Sequence, residues 1–119
     1  MRLFILIVSF MPSARIVLAF TTCGDRVAAE RLARLLVEAH VAACVSVGAP
    51  TLSVYPWQGR IESESEVPVT IKTSPARVGQ LKNLLVEHHE YDVPELLVTE
   101  VVDGLDAYMD WAEDWMSHD

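Results

Sequence analysis

The chain has little cysteine: Cys23 and Cys44 are its only two in 119 residues. Two cysteines are too few for a disulfide framework, and their separation excludes a CxxC redox or zinc-ribbon pattern. Basic residues are scarce too, nine Lys and Arg against seventeen Asp and Glu, for a formal net charge of −8. Phosphate binding needs clustered Lys and Arg, so nucleic acid is a poor partner and cations are a better one. The acids gather toward the C-terminus (Asp103, Asp106, Asp110, Glu113, Asp114, Asp119), where the plainer reading is a solvated helix face. The five glycines stand singly, so no Gly-rich phosphate loop is present. The apolar run near the N-terminus is too short to span a bilayer, which argues against a membrane partner.

What the chain does have is apolar content, 51% of its residues, enough to bury one sizeable core and form a single domain. Residues 1–14 read as a leader or extension ahead of a domain at 15–119. One Arg before a short apolar run, with Ala14 and Ala19 as small residues, has the outline of a signal peptide. Cleavage after Ala19 would destroy the first core strand, so secretion is the minority alternative and a reducing cytoplasm the expectation.

"RIVLAFTTC" (Arg15 to Cys23) is β-branched and apolar and ends at Gly24-Asp25, a turn and helix cap. Ala28, Leu32, Leu35, Leu36 and Ala39 recur at helical spacing and predict an amphipathic helix covering a sheet. "AACVSVGAPTLSVYPW" and "IESESEVPVTIKT" predict two strands joined as a long hairpin, bent at Gly48-Ala49-Pro50 because Pro cannot donate to a ladder. In the second arm "ESESE" reads as an exposed charged edge. Ser74-Pro75 signals a helix start, with the Ser hydroxyl as cap. Val78, Leu81, Leu85 and His88 then share one face, which turns His88 inward and His89 about 100° away. "PELLVTEVV" is a last strand, and Leu105, Tyr108, Met109, Ala112, Trp115 and Met116 mark a C-terminal helix. Trp111 and Trp115 read as packing residues, and Cys44 as a small core residue.

The expected fold class is therefore α+β: a ferredoxin-like βαββαβ antiparallel sheet with helices on one face, a long hairpin between the second and third strands, and an extra C-terminal helix. The first and third strands are expected side by side and parallel in the middle. The fourth pairs antiparallel with the first, so its start meets the first strand's end. That brings His88 and His89 near Cys23, with Tyr91, Asp92 and Glu95 in the same junction. A thiol and two imidazoles suit copper, and three protein ligands also suit zinc. The plainer reading of the His pair is helix-end chemistry, with imidazoles favouring the C-terminal dipole. Cys23 with His88 can be drawn as nucleophile and base, but no nucleophile motif or oxyanion hole accompanies them.

"FTTC", "LVEAHVAACVSV", "SVYPWQGRIE", "EVPVTIKTS" and "HHEYDVPELLV" closely resemble, in order and spacing, the CutA family of divalent-cation tolerance proteins. The resemblance covers about Arg15 to Trp115 and so makes 15–119 a single CutA-like domain. It implies a tight homotrimer in which long hairpins pair with neighbouring subunits. It also implies copper and other divalent-cation binding, a role in the response to metal ions, and no catalytic reaction. By resemblance the metal ligands fall on Cys23, His88 and His89, and Tyr55 and Trp57 fall at an intersubunit interface; Trp57, Tyr91 and Glu95 are expected to line a cleft between subunits. Glu95 is a candidate partner for Lys72 or Arg60 across that cleft. Two departures stand out: some metal-binding members carry their cysteine at the position of Thr21, and Glu90 replaces the usual Pro of "HPY". The expected function is a non-enzymatic homotrimer that binds copper, or zinc in its place. The alternative is a trimeric scaffold or signalling module that takes a small molecule or protein at its clefts.

Overall fold

The computed structural model describes residues 14–118, so the sequence readings for 1–13 lie outside the described residues. The elements are β1 (Val17–Cys23), α1 (Arg26–Glu38), β2 (Ala42–Val47), β3 (Thr51–Trp57), β4 (Arg60–Thr73), a 3-10 turn (Pro75–Arg77), α2 (Val78–His88), β5 (Leu97–Glu100) and α3 (Asp106–Met116). The main sheet runs β2-β4-β1-β5, and β3 pairs with the outer half of β4. Fourteen residues let β4 do both: its inner half pairs with β1 and β2, and its outer half forms the hairpin arm with β3. The predicted bend falls at Gly48–Pro50, where Gly48 N–H donates to the Pro68 carbonyl at 2.9 Å.

One expectation is corrected. β1 and the strand that neighbours it, β4, are antiparallel, not parallel, in the register Val17↔Thr73 to Cys23↔Val67. Three chain reversals separate them, through α1, β2 and the hairpin, and an odd number of reversals inverts direction. β5 pairs antiparallel with β1 as expected, from Val17↔Glu100 to Phe20↔Leu97.

Burial alternates along β1, with Val17, Ala19, Thr21 and Cys23 buried. That is the period of a strand packed on one face. Ala19 and Cys23 meet Ala29, Leu32 and Leu36 of α1, Leu81 and Leu85 of α2, and Val67, Val69 and Ile71 of β4 in the main core. Asp25 caps α1 by accepting the Ala28 N–H at 2.8 Å. Ser74, expected to cap the second helix, makes no side-chain cap bond, because the chain enters α2 through the 3-10 turn.

A smaller core joins Met109, Ala112 and Met116 of α3 to Ile16 and Ala43. Ala43 follows Ala42, and Lys72, which donates to Tyr108, follows Ile71; Ala42 and Ile71 belong to the main core, so strand alternation puts α3 on the other side of the sheet. Arg15 binds the acidic face of this helix, reaching Asp106 at 3.8 Å, Asp110 at 2.5 Å and Glu113. Part of the C-terminal acidity is thus intramolecular. Trp115 stacks on His40 with ring centroids 3.9 Å apart and donates its indole N–H to the Val37 carbonyl, which closes α3 over the end of α1. Trp111 stays 55% exposed beside Tyr108.

Other exposed large apolar residues form two main groups, one in the stretch around β5 (Val93, Leu97, Val98, Val102 and Leu105) and one on the hairpin arm. Leu52, Val54, Trp57 and Ile61 are between 60% and 75% exposed. Four large apolar side chains on one projecting arm are more than scattered surface exposure explains.

Candidate functional site

β1 ends at Cys23, and α2 delivers residues 88–91 beside it. α2 stops at His88, and His89 takes an extended conformation at φ −78° and ψ 143°. The ring of His89 therefore swings toward the sheet, while His88 points outward with 43% of its side chain exposed. Helical spacing assigned these two orientations the other way round; it does not apply to His89, which stands beyond the helix end in extended backbone.

His89 Nε2 donates to the Thr22 carbonyl at 2.6 Å, and its Nδ1 accepts the Tyr91 N–H at 3.0 Å. These partners fix the neutral ring with its proton on Nε2. Cys23 Sγ lies 3.9 Å from Nε2. Cys23 is 2% exposed; burial first, then the carboxylates of Glu90, Asp25 and Glu66, push its thiol up to about 11. A thiol so held is protonated at neutral pH and poorly reactive. Glu90, which stands where the family's Pro was expected, accepts the Gly24 N–H at 2.6 Å. A Cβ at residue 24 would sit 2.9 Å from that carboxylate, so the approach uses the missing side chain of glycine.

Cys23, His88 and His89 all border one pocket of about 270 Å³, with Arg31 and Glu90 at its wall. They do not form a ligand set: among the described residues no group of three or more His, Cys, Asp or Glu is placed to hold a metal ion. Two of the three proposed donors touch, one of those two has both ring nitrogens engaged, and the third faces solvent beside Glu87. As folded, the trio does not fit a bound ion. Thr21 does not supply the missing sulfur. Its hydroxyl is buried and without a hydrogen-bond partner among the described residues. Thr21→Val removes that unsatisfied hydroxyl at nearly constant volume and is expected to stabilise the protein by about 1 kcal/mol, measured by urea unfolding.

On the other side of Tyr91 lies an open cleft of about 860 Å³ between the hairpin arm and residues 91–95. It contains the four predicted interface or cleft residues, Tyr55, Trp57, Tyr91 and Glu95. Its centre is Glu66, whose Oε2 accepts the Thr22 hydroxyl at 2.9 Å and the Tyr91 phenol at 3.0 Å. Burial pushes the Glu66 carboxyl up, but hydrogen bonds from Ser53, Thr22 and Tyr91 outweigh it and hold Glu66 below the ordinary value. Burial and the Glu66 carboxylate push the Tyr91 phenol up in turn. A depressed folded-state pKa stabilises the fold above the ordinary value and loses that contribution as pH falls through the folded value. Glu66→Gln is therefore expected to flatten the acid limb of the stability profile below about pH 4.5. Unfolding midpoints across that range check it.

Sequence reading missed Glu66 and Thr22, and the bond between Gly24 and Glu90. Glu62, Glu64 and Glu66 had a usable signal, because every second residue of a strand shares a face and all three border the cleft. Lys72 donates to Tyr108 at 3.1 Å within its own chain.

An antiparallel sheet with two helices on one face and an arm built from its central hairpin defines a ferredoxin-like α+β protein. The profile of the CutA1 divalent ion tolerance proteins matches residues 17–115. The chain belongs to this family. It is 38% identical over 100 residues to the divalent-cation tolerance protein CutA of Pectobacterium atrosepticum, covering 84% of this chain and 91% of that one. It is 35% identical over 95 residues to the chloroplastic CutA protein of Arabidopsis thaliana; the match covers 80% of this chain and spans 52%, about half, of that longer relative. The crystal structure of CutA from Xylella fastidiosa superposes with a TM-score of 0.84 at 35% identity, covering 87% of this chain and 99% of the other. No helix among the described residues is long and apolar enough to cross a membrane.

Proposed function

We propose that this chain serves divalent-cation tolerance as a non-enzymatic homotrimer in which a neighbouring copy completes the cleft around Glu66 and Tyr91. The exposed apolar arm carries this reading: Leu52, Val54, Trp57 and Ile61 border or adjoin the cleft, and a second copy is what would cover them. Among the described residues β3 also has an open ladder edge, and pairing between copies would close it. The family resemblance supports three copies. Two free cysteines suit a reducing cytoplasm.

Copper is the cation this reading favours, with zinc in second place. His88 is the one imidazole of the sequence-predicted trio that faces solvent, and imidazole with carboxylate oxygen suits either ion. Calorimetric titration of the metal-free protein with Cu(II) tests it. Saturable binding at a fixed ratio per trimer, weakened by His88→Ala, is the expected result; heats of dilution alone would reject it.

A second reading rests on the hydrogen bonds that hold the Glu66 carboxylate in place in a cleft with no soft donor. Here the trimer is a scaffold or signalling module that takes a small molecule or protein, and metal binding is incidental. Thermal stabilisation by a metabolite in metal-free buffer would support this reading over the first.

A further inference from the structure

We infer that His89 is a positioning strut that fastens Tyr91 and the cleft to the end of β1, and that His89 and Cys23 are not metal ligands in this chain. β5 pairs with β1 only as far as Phe20↔Leu97. Thr22 lies two residues beyond the end of that ladder, and its carbonyl accepts the His89 Nε2–H instead. An imidazole thus continues the sheet's hydrogen bonding where the strand has stopped. A carbonyl partly shielded from water gains from a protein donor, which gives the ring a structural task at this position.

The same ring holds Tyr91. Its Nδ1 accepts the Tyr91 N–H, and the two rings lie 4.8 Å apart. The Tyr91 phenol donates to Glu66, which also accepts the Thr22 hydroxyl. The hydrogen bonds form a closed circuit: Thr22 to His89, His89 to Tyr91, Tyr91 to Glu66, and Glu66 back to Thr22. Glu90 adds a parallel tie to Gly24.

This circuit excludes ligation as folded. A metal binds the lone pair of a neutral imidazole, and the only lone pair here, on Nδ1, faces the N–H two residues on. Ligation through Nε2 would remove its proton and strand the Thr22 carbonyl. Cys23 packs among Ala29, Leu32 and Val67 in the main core, where a small apolar residue would serve equally. The inference stands whether or not the assembly binds copper elsewhere.

The test compares His89→Ala, His89→Gln and Cys23→Ser in the full chain. Thermal unfolding and carbon–proton NMR of ring-labelled tyrosine are the metal-free readouts. Gln places an amide donor near the position of Nε2 but is a poor metal ligand. The expected result is a midpoint lowered by about 5 °C or more in the Ala variant, with a displaced Tyr91 ring signal, and recovery of most of both in Gln. Cobalt(II) added to the unmodified protein is expected to give no thiolate charge-transfer absorption. A cobalt–thiolate band abolished by Cys23→Ser and by both His89 variants would overturn the inference. So would an Ala variant with an unchanged midpoint and Tyr91 signal. Failure to bind copper at all would reject the proposed cation role and leave the strut standing, because its thermal and NMR readouts use no metal.

Discussion

Lysine at both Leu52 and Val54 is expected to hold the protein as a folded monomer. The two side chains lie on the same face of β3 and are 67% and 63% exposed in the single chain. Covering a Val or Leu side chain contributes about 1.5–3 kcal/mol, and each copy contributes both residues. Replacing them with ammonium groups removes that gain and requires charges to be desolvated at every junction. The arm stands outside both hydrophobic cores, so the sheet and helices should survive. Sedimentation velocity should show one slow species with an unchanged far-ultraviolet circular dichroism spectrum. A double variant that sediments like the unmodified protein would remove the arm from the interface.

The second large effect is expected at Leu85. It is 1% exposed and anchors the last turns of α2 in the main core, shortly before the chain turns out at His89. Leu85→Ala is expected to cost about 2–5 kcal/mol, through lost transfer energy and the cavity left behind. Against a typical domain stability of about 5–15 kcal/mol this is a large fraction. Leu85→Met, which nearly conserves volume, should cost under about 1.5 kcal/mol. Urea unfolding of the two variants checks the contrast. The Ala variant should also loosen the Tyr91–Glu66 hydrogen bond, because α2 carries the strut. A loss below about 1 kcal/mol in the Ala variant would mean that α2 is held chiefly by other contacts.

Much of this fold was legible because periodicity and punctuation agreed. The alternation in β1, the three- and four-residue spacing in α1, the Gly48–Pro50 bend and the C-terminal helix each had a local physical cause in the sequence. Topology then placed the start of β5 against the end of β1, and that register is what brings residue 89 near residue 23. The direction of β4 relative to β1 was misread, although counting chain reversals gives it.

The site was less legible, because its geometry depends on where one helix stops. Spacing alone turns His88 inward, whereas the change to extended backbone at His89 reverses the pair. Helix ends are set within a residue or two by local competition, and at a site one residue decides which ring meets the sheet. Glu66 was hidden for another reason. It closes a run of alternating Ser and Glu that reads as a solvated edge, and only the fold shows Thr22 and Tyr91 converging on it. The tyrosine and its hydrogen-bonded carboxylate lie 25 residues apart in sequence.

The central claim is that the hairpin arm is half of an interface, and sedimentation equilibrium of the unmodified protein in metal-free buffer tests it most directly. The account predicts a single species at three times the 13.3 kDa chain mass across a wide concentration range. A species at the mass of one chain would contradict it.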